Sequence, residues 1–418
     1  MADDVGLVTI RHGRVRWLFG CYGFLLDCLR VYSGGWFPAR DLVVCFSSSL
    51  RRPGMRIRTM FAISSARMRQ WYRASLLLGV FAALLNGRAS MAEEPLRLKV
   101  VGGLADVSQY VRFEEPFWRK QISELTNGRV VGEIAPFDRA GFRAEEMLQL
   151  MRLGVVPFGT ALLAVVSSEE PEFNAVDLPA LNPDLASLRQ TVRLYRPHLK
   201  QILQERYGIE LLAVYTYPAQ VTWCRRPFTG LGDLAGRRVR TSSVGQTEMF
   251  EALGATPVVI PFAGVVQAMK SGVVECAVTG TLSGLAVGLQ EVTSHIHSMA
   301  LTWGVSVFGA NQEAWRALPP DIRDTIRKGI VDLEDNIWES VARETGDGLD
   351  CSVGKPSCSG SARGNMTIVP VTPADDARRR SLLVQTVLPR WVDRCGPDCA
   401  DAWNRYLGPT LGIPAYAH

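Results

Sequence analysis

From residue 96 onward, apolar runs of strand length alternate with segments whose apolar residues fall at helix spacing. This alternation is the strongest constraint on what the chain can fold into. Residues 96–101 alternate as a strand. Phe113, Phe117, Trp118, Ile122 and Leu125 then follow a helical period, closed by Thr126-Asn127-Gly128 with Gly128 placed as a left-handed cap. Residues 130–134 read as a second strand, 144–153 as a helix closed by Gly154, and 158–166 as a buried apolar stretch. The pattern recurs downstream, with strands at 211–217, 237–240, 258–260 and 276–278 and helices at 246–253 and 265–270. A long helix is predicted over 319–341: Pro320 and Asp321 suit its first turn, and Ile322, Ile326, Ile330, Leu333, Ile337 and Val341 form its apolar stripe. Strands alternating with helices predict an α/β fold built on mostly parallel sheets. At 418 residues the chain has room for two or three cores.

The net charge of +5 would suit a nucleic-acid partner if it were spread over the chain. It is not spread. Residues 1–92 hold thirteen arginines and no lysine against four aspartates and no glutamate, a net +9. The remaining 326 residues hold 33 basic and 37 acidic side chains, a net −4. Within the basic part, Met68 opens a unit with Arg69 and Arg73, an uncharged apolar run at 74–85, and small residues at Ser90 and Ala92. That layout is a secretory signal at 68–92, cleaved after Ala92. At ~1.5 Å per residue the run spans about 18 Å, too short for a hydrocarbon core of about 30 Å. Residues 1–67 precede the signal. They read either as a basic nucleic-acid arm or as a start assigned too early; arginine without any lysine favours the second, through codon bias. Protein N-terminal sequencing distinguishes the two.

Six cysteines follow the signal, and export permits disulfides. Cys351 with Cys358, and Cys395 with Cys399, flank turns and are the disulfide candidates, with a zinc tetrad as the rival reading. Six cysteines allow fifteen connectivities, so the pairing stays open. Cys224 and Cys276 read as small buried residues. No cofactor or metal is expected: His295 and His297 have no cysteine or carboxylate at ligand spacing, Gly230, Gly232 and Gly236 stand in the wrong context for a dinucleotide loop, and no nucleophile or phosphate-loop motif occurs.

One ordered set of motifs is more specific. Asp233-Leu-Ala-Gly-Arg-Arg-Val-Arg240, Leu253-Gly-Ala-Thr-Pro257, Ile260-Pro-Phe262 and Val265 through Gly272 to Glu275 resemble the solute-binding proteins of tripartite ATP-independent periplasmic (TRAP) transporters, dicarboxylate type. Thr126-Asn127-Gly128-Arg129-Val130, Met147-Leu148-Gln149, Asp177-Leu178-Pro179 and Trp315-x-x-Leu318-Pro319 match further landmarks in order, over about 96–345. The resemblance implies a bilobal periplasmic-binding-protein-like fold, with two mixed or parallel sheets joined by hinge crossings and a long shared helix. Lobe I would be 93–217 plus 306–345 and lobe II 218–305, with hinges near 217 and 305. The tail 346–418 would pack on the body. The implied protein is no enzyme but a monomeric periplasmic receptor. It would deliver an organic acid anion to a TRAP permease, with no nucleic-acid partner.

The resemblance places Arg240 in the interlobe cleft. Its fixed fork of N–H donors matches a carboxylate bidentately and keeps its charge when water is excluded. Arg238, two residues earlier, is the fallback. Phe262 stands where the family places an aromatic against the ligand, and Trp303 and Trp223 are candidates for the apolar side. Gln220 stands where some members carry a second arginine, Thr279 where an asparagine is usual, and about Leu162 where amino-ligand binders carry an acid. Glu275 and Cys276 replace the usual Asp and Gly. These departures imply a monocarboxylate, or a keto- or hydroxy-acid with an apolar part, held additionally by hydrogen bonds from Gln220 and Thr279. Two other readings share the scaffold: a sensor presenting ligand to a kinase, and an exported enzyme, for which Cys276 and Glu275 are the named candidates.

Overall fold

Each predicted strand forms, and in the computed structural model the strands sort into two sheets. The structure describes residues 94–417 and four short strand segments nearer the start. The chain divides into two units, Met1–Ser90 and Met91–His418. In the first, Val8–His12 pairs antiparallel with Val15–Phe19, and Asp27–Arg30 with Val43–Phe46. The signal reading at 68–92, including its cleavage point, lies outside the described residues, as does most of 1–67.

The strands of the second unit are numbered from its start. Leu96–Gly102 (β1), Val130–Pro136 (β2), Phe158–Leu162 (β3), Ile209–Tyr215 (β4) and Ser306–Asn311 (β10) form a five-stranded sheet in the order β2-β1-β3-β10-β4. Gln220–Cys224 (β5), Arg238–Thr241 (β6), Thr256–Val259 (β7), Cys276–Gly280 (β8), His295–His297 (β9) and Thr367–Val369 (β11) form a six-stranded sheet in the order β7-β6-β8-β5-β9-β11. In the first sheet β2, β1 and β3 run parallel; in the second β7, β6 and β8 do. β10 and β4 join the first sheet antiparallel, and β5 pairs antiparallel with both β8 and β9 in the second, so both sheets are mixed.

Three stretches carry the chain between the sheets: residues 216–219, residues 298–305, and the run from β10 to β11 that includes the helix Pro320–Ser352; the first two are hydrogen-bonded to each other. Tyr217 N donates to Trp303 O (3.1 Å), Gln220 N to Thr302 O (2.8 Å) and Leu301 N to Gln220 O (2.9 Å). Asp177 pins the second crossing. Its buried carboxylate accepts from the backbone N–H groups of Trp303 (2.9 Å), Gly304 (2.7 Å) and Val305 (3.4 Å). Burial pushes its carboxyl up to about 7, against the opposing pull of those three donors. Gly304 has φ +72°, and a Cβ there would collide with the Gln220 amide, so the crossing requires glycine.

The long helix Pro320–Ser352 extends eleven residues past the predicted stripe and touches both sheets. Trp338 Nε1 donates to Val214 O on β4 (2.8 Å), and Thr345 Oγ1 accepts from Ala219 N at the crossing (3.1 Å). Gly348 lies against the backbone of Thr281 and Leu282, just beyond β8. A second long helix, Leu185–Tyr207, was not foreseen. Asp184 caps its start by accepting from Ser187 N, Gly208 ends it at φ +59°, and Pro197 lies inside it.

The tail does more than pack on the body, because β11 pairs in parallel with β9 and extends the six-stranded sheet. The helix Pro373–Leu382 begins with a Thr372/Asp375 capping box, and Asp375 Oδ1 also accepts from Leu231 N (2.8 Å). Trp391 donates to Pro171 O (2.7 Å).

Three disulfides are present among the described residues: Cys351–Cys358, Cys395–Cys399 and Cys224–Cys276. The first two match the candidate pairs and displace the zinc alternative. The third corrects the reading of Cys224 and Cys276 as unpaired core residues. Antiparallel pairing of β5 and β8 sets these cysteines directly opposite each other, with Cα atoms 4.1 Å apart.

Candidate functional site

A cavity of about 210 Å³ opens where the carboxyl ends of the parallel strands of both sheets converge. From the five-stranded sheet come Leu104 and Val107 after β1, Phe137 and Asp138 after β2, and Leu162, Ala164 and Val165 at and after the end of β3. From the six-stranded sheet come Arg240 and Ser242 on and after β6, Val259 to Ala263 at the end of β7 and after it, and Thr279, Gly280 and Ser283 at the end of β8 and after it. Tyr217, Gln220 and Gly304 supply the crossings. Open α/β sheets place ligands outside the carboxyl ends of their strands, because loops there can converge without breaking the ladder.

Arg240 is the chemical centre of this cavity. It alternates with Val239 on β6 and is 2% exposed. Its flanking strands fix the guanidinium: Nε donates to Ile260 O after β7 (2.7 Å) and Nη1 to Val278 O on β8 (2.6 Å). No carboxylate among the described residues pairs with it. Burial alone pushes its pKa down to about 10. A buried, uncompensated charge costs several kcal/mol, and an anion entering the cavity offsets that cost. The nearby walls are mostly apolar, so a carboxylate here meets a preset donor fork in a medium of low polarisability.

The structure brings Arg240, Gln220, Phe262 and Thr279 to one cavity. Thr279 is 4% exposed, and its hydroxyl has no hydrogen-bond partner among the described residues. Phe262 opens a short turn, Phe262–Gly264, at the cavity wall. The Gln220 side chain receives only a long contact, 3.5 Å, from Gln246 Nε2.

Arg238 and Trp303 are not brought there. Arg238 starts β6 at the far end from the cavity, exposed, and its guanidinium is spent on Gly272 O (3.1 Å) and Val273 O (2.9 Å). Strand alternation gives it the same side as Arg240, but one strand length separates the two ends. Trp303 is buried behind the cavity, its indole donating to Asn182 O (3.0 Å). Trp223 is also buried, donating to Thr279 O (3.3 Å) from beneath β8. His297 is sequestered with Asp375, 3.7 Å away, and no group of three or more metal-ligating side chains occurs among the described residues. Cys276 is in the disulfide, and Glu275 is ion-paired with Arg226 outside the cavity, so neither exported-enzyme candidate lines the site.

Sequence reasoning missed Asp138, Glu145, Tyr217 and Ser283 in the lining. Asp138 and Ser283 lie within the first few residues after β2 and β8, so the strand-end rule could have found them. It also missed Glu114, buried beside the cavity wall, where it accepts from Gly103 N (2.7 Å) and Thr160 Oγ1 (2.6 Å) and is pushed up to about 7 by burial.

The model of the bacterial extracellular solute-binding protein family 7 (DctP) matches residues 110–348, more than half of the chain. The chain belongs to this family. Family 7 comprises solute-binding proteins, not enzymes. The C4-dicarboxylate-binding periplasmic protein of Rhodobacter capsulatus is 28% identical over 218 residues, 51% of this chain and 64% of that relative. The alignment therefore spans under two thirds of that relative's length. Among solved structures, a Bordetella pertussis extracytoplasmic solute receptor binding pyroglutamic acid is similar at a TM-score of 0.66 and 20% identity, over 74% of this chain and 99% of that one. A TRAP solute-binding protein of Desulfovibrio salexigens with bound orotic acid is similar at a TM-score of 0.65 and 18% identity, over 74% and 97%. The family 7 fold accounts for the two mixed sheets and the long helix that both share.

Proposed function

We propose that the protein is a periplasmic receptor that binds an organic acid anion through Arg240 and delivers it to a TRAP-type membrane permease. The observation that carries this reading is a guanidinium buried in a cavity between two sheets with no carboxylate among the described residues to neutralise it. Family membership supports it, and so do the organic acids named for its relatives and structural neighbours. The two sheets act as lobes, 93–217 with 306–345 and 218–305, that close on the ligand about the paired crossings. The ligand is a monocarboxylate, or a keto- or hydroxy-acid with an apolar part. Gln220 and Thr279 bond its polar substituents, and Phe262 covers its apolar portion. The receptor acts as a monomer in the periplasm after cleavage near Ala92, with no nucleic-acid partner.

Native mass spectrometry of freshly purified protein identifies any retained acid, and a thermal-shift panel of organic acids tests the class. Arg240→Ala is expected to keep the fold and abolish the ligand-induced rise in Tm. An unchanged rise in that variant refutes the role of Arg240.

A further inference from the structure

The cavity is electrostatically two-sided. Its cation, Arg240, belongs to the six-stranded sheet. On the five-stranded side the lining includes two carboxylates, Asp138 just after β2 and Glu145 on the short turn Ala144–Glu146. Neither carboxylate is consumed by a close ion pair. Asp138 Oδ1 accepts from Ala105 N (3.1 Å), leaving its other oxygen free of any described partner. Glu145 meets Arg143 only at 3.7 Å, with both side chains substantially exposed. No second Lys or Arg lines the cavity. The buried guanidinium on the opposite wall, and the unpartnered Thr279 hydroxyl beside it, show independently that this space is built for a polar ligand.

We infer that Asp138 and Glu145 set the specificity of the site for acids carrying one carboxylate at Arg240 and a hydrogen-bond donor at the remote end. This inference rests on the receptor reading above. A dianion that seats one carboxylate on Arg240 directs the other toward two carboxylates, with only the largely exposed Arg143 beside Glu145 as a nearby cation, and like charges facing across a partly solvated space repel. An amide N–H or an ammonium at the same position finds free acceptor oxygens instead. No carboxylate among the described residues pairs with Arg240, so the donor belongs at the far end of the ligand and not beside the carboxylate.

The test uses acids that share one carboxylate and differ only at the other end. These are succinate, succinamate, butyrate and 4-aminobutyrate, with their five-carbon homologues, titrated calorimetrically into the full exported protein. The wild type is expected to bind the amide- or ammonium-ended acid about tenfold more tightly than the diacid of equal length, the size of one unit-charge interaction in such a setting. In the Asp138→Asn, Glu145→Gln double variant that ratio is expected to collapse toward one, with the methyl-ended acid unchanged. Both residues are at the cavity rim, so circular dichroism and Tm should report an intact fold. If acids bind in an Arg240-dependent way but the double variant leaves the ratio unchanged, or if the wild type prefers the diacid, this inference is wrong and the receptor reading stands. If none of the acids binds the wild type, the receptor reading fails and takes this one with it.

Discussion

Two buried charged residues shape the site by opposite means. Arg240 is held by two carbonyls and left without a counter-ion, so its value to the protein lies in the ligand it accepts. Arg240→Lys should fail nearly as badly as Arg240→Ala, because an ammonium can neither span both carbonyls nor present a fork. Calorimetry should show affinity falling about a hundredfold or more in both variants. Glu114 holds a proton that the unfolded chain releases. Its carboxyl is raised from 4.5 to about 7, so the native state binds more protons than the unfolded state between those values. This contribution to stability is complete below pH 4.5 and is lost as the pH rises through 7. Glu114→Gln should remove it: the unfolding free energy of the wild type relative to the variant should fall across that window, by about 3 kcal/mol in all, and its Tm should fall with it. A constant difference would show that Glu114 does not titrate there. Arg240 was legible in the sequence because it closes an eight-residue motif. Glu114 was not, since nothing in the helical run around it marks a carboxylate that folds inward against Thr160, 46 residues away.

At the level of elements, local spacing revealed strands well and their partners poorly. The strands read from the alternation formed close to their expected bounds, but Gln220–Cys224, His295–His297, Ser306–Asn311 and Thr367–Val369 were not read from it. The bridge between Cys224 and Cys276 was not foreseeable, because β5 and β8 are neighbours only through an antiparallel pairing that skips two intervening strands. The helix Leu185–Tyr207 escaped for another reason: Pro197 interrupts an otherwise regular apolar period, and a proline usually marks a helix boundary. The Cys224–Cys276 bridge joins residues 52 apart in sequence, against 7 for Cys351–Cys358. By loop entropy, replacing the first pair with alanine should cost about 4 kcal/mol and the second about 2.5 kcal/mol, an ordering that urea denaturation can check. The long helix provides a sharper contrast. A Cβ on Gly348 would come within 2.6 Å of the Leu282 backbone nitrogen, whereas one on Gly346 meets nothing within 4 Å. Gly346→Ala should raise stability by up to about 1 kcal/mol, while Gly348→Ala should lower it by about 1–3 kcal/mol, because backbone cannot yield as a side chain can. Opposite shifts in Tm for two glycines two residues apart would verify the contact.

For the whole molecule, the long helix bonds to β4 and to the crossing at Ala219, and the tail bonds to Leu231 and to Pro171, while the cavity between the sheets is walled by separate strand ends. Ligand binding is therefore expected to draw the two walls together about the crossings pinned by Asp177. Small-angle scattering should show the radius of gyration decreasing when a bound acid saturates the wild type, and no change with Arg240→Ala. The strand β11 has a further effect. It lies along the short strand His295–His297 at one margin of the six-stranded sheet, and only three residues long, it offers little for another chain to pair with. The opposite margin is Thr256–Val259, where Pro257 has no N–H to donate. A sheet bounded this way gives a neighbouring molecule no long row of free donors and acceptors to extend. Crowded copies of the protein thus lack an edge on this sheet from which intermolecular β-aggregation could grow.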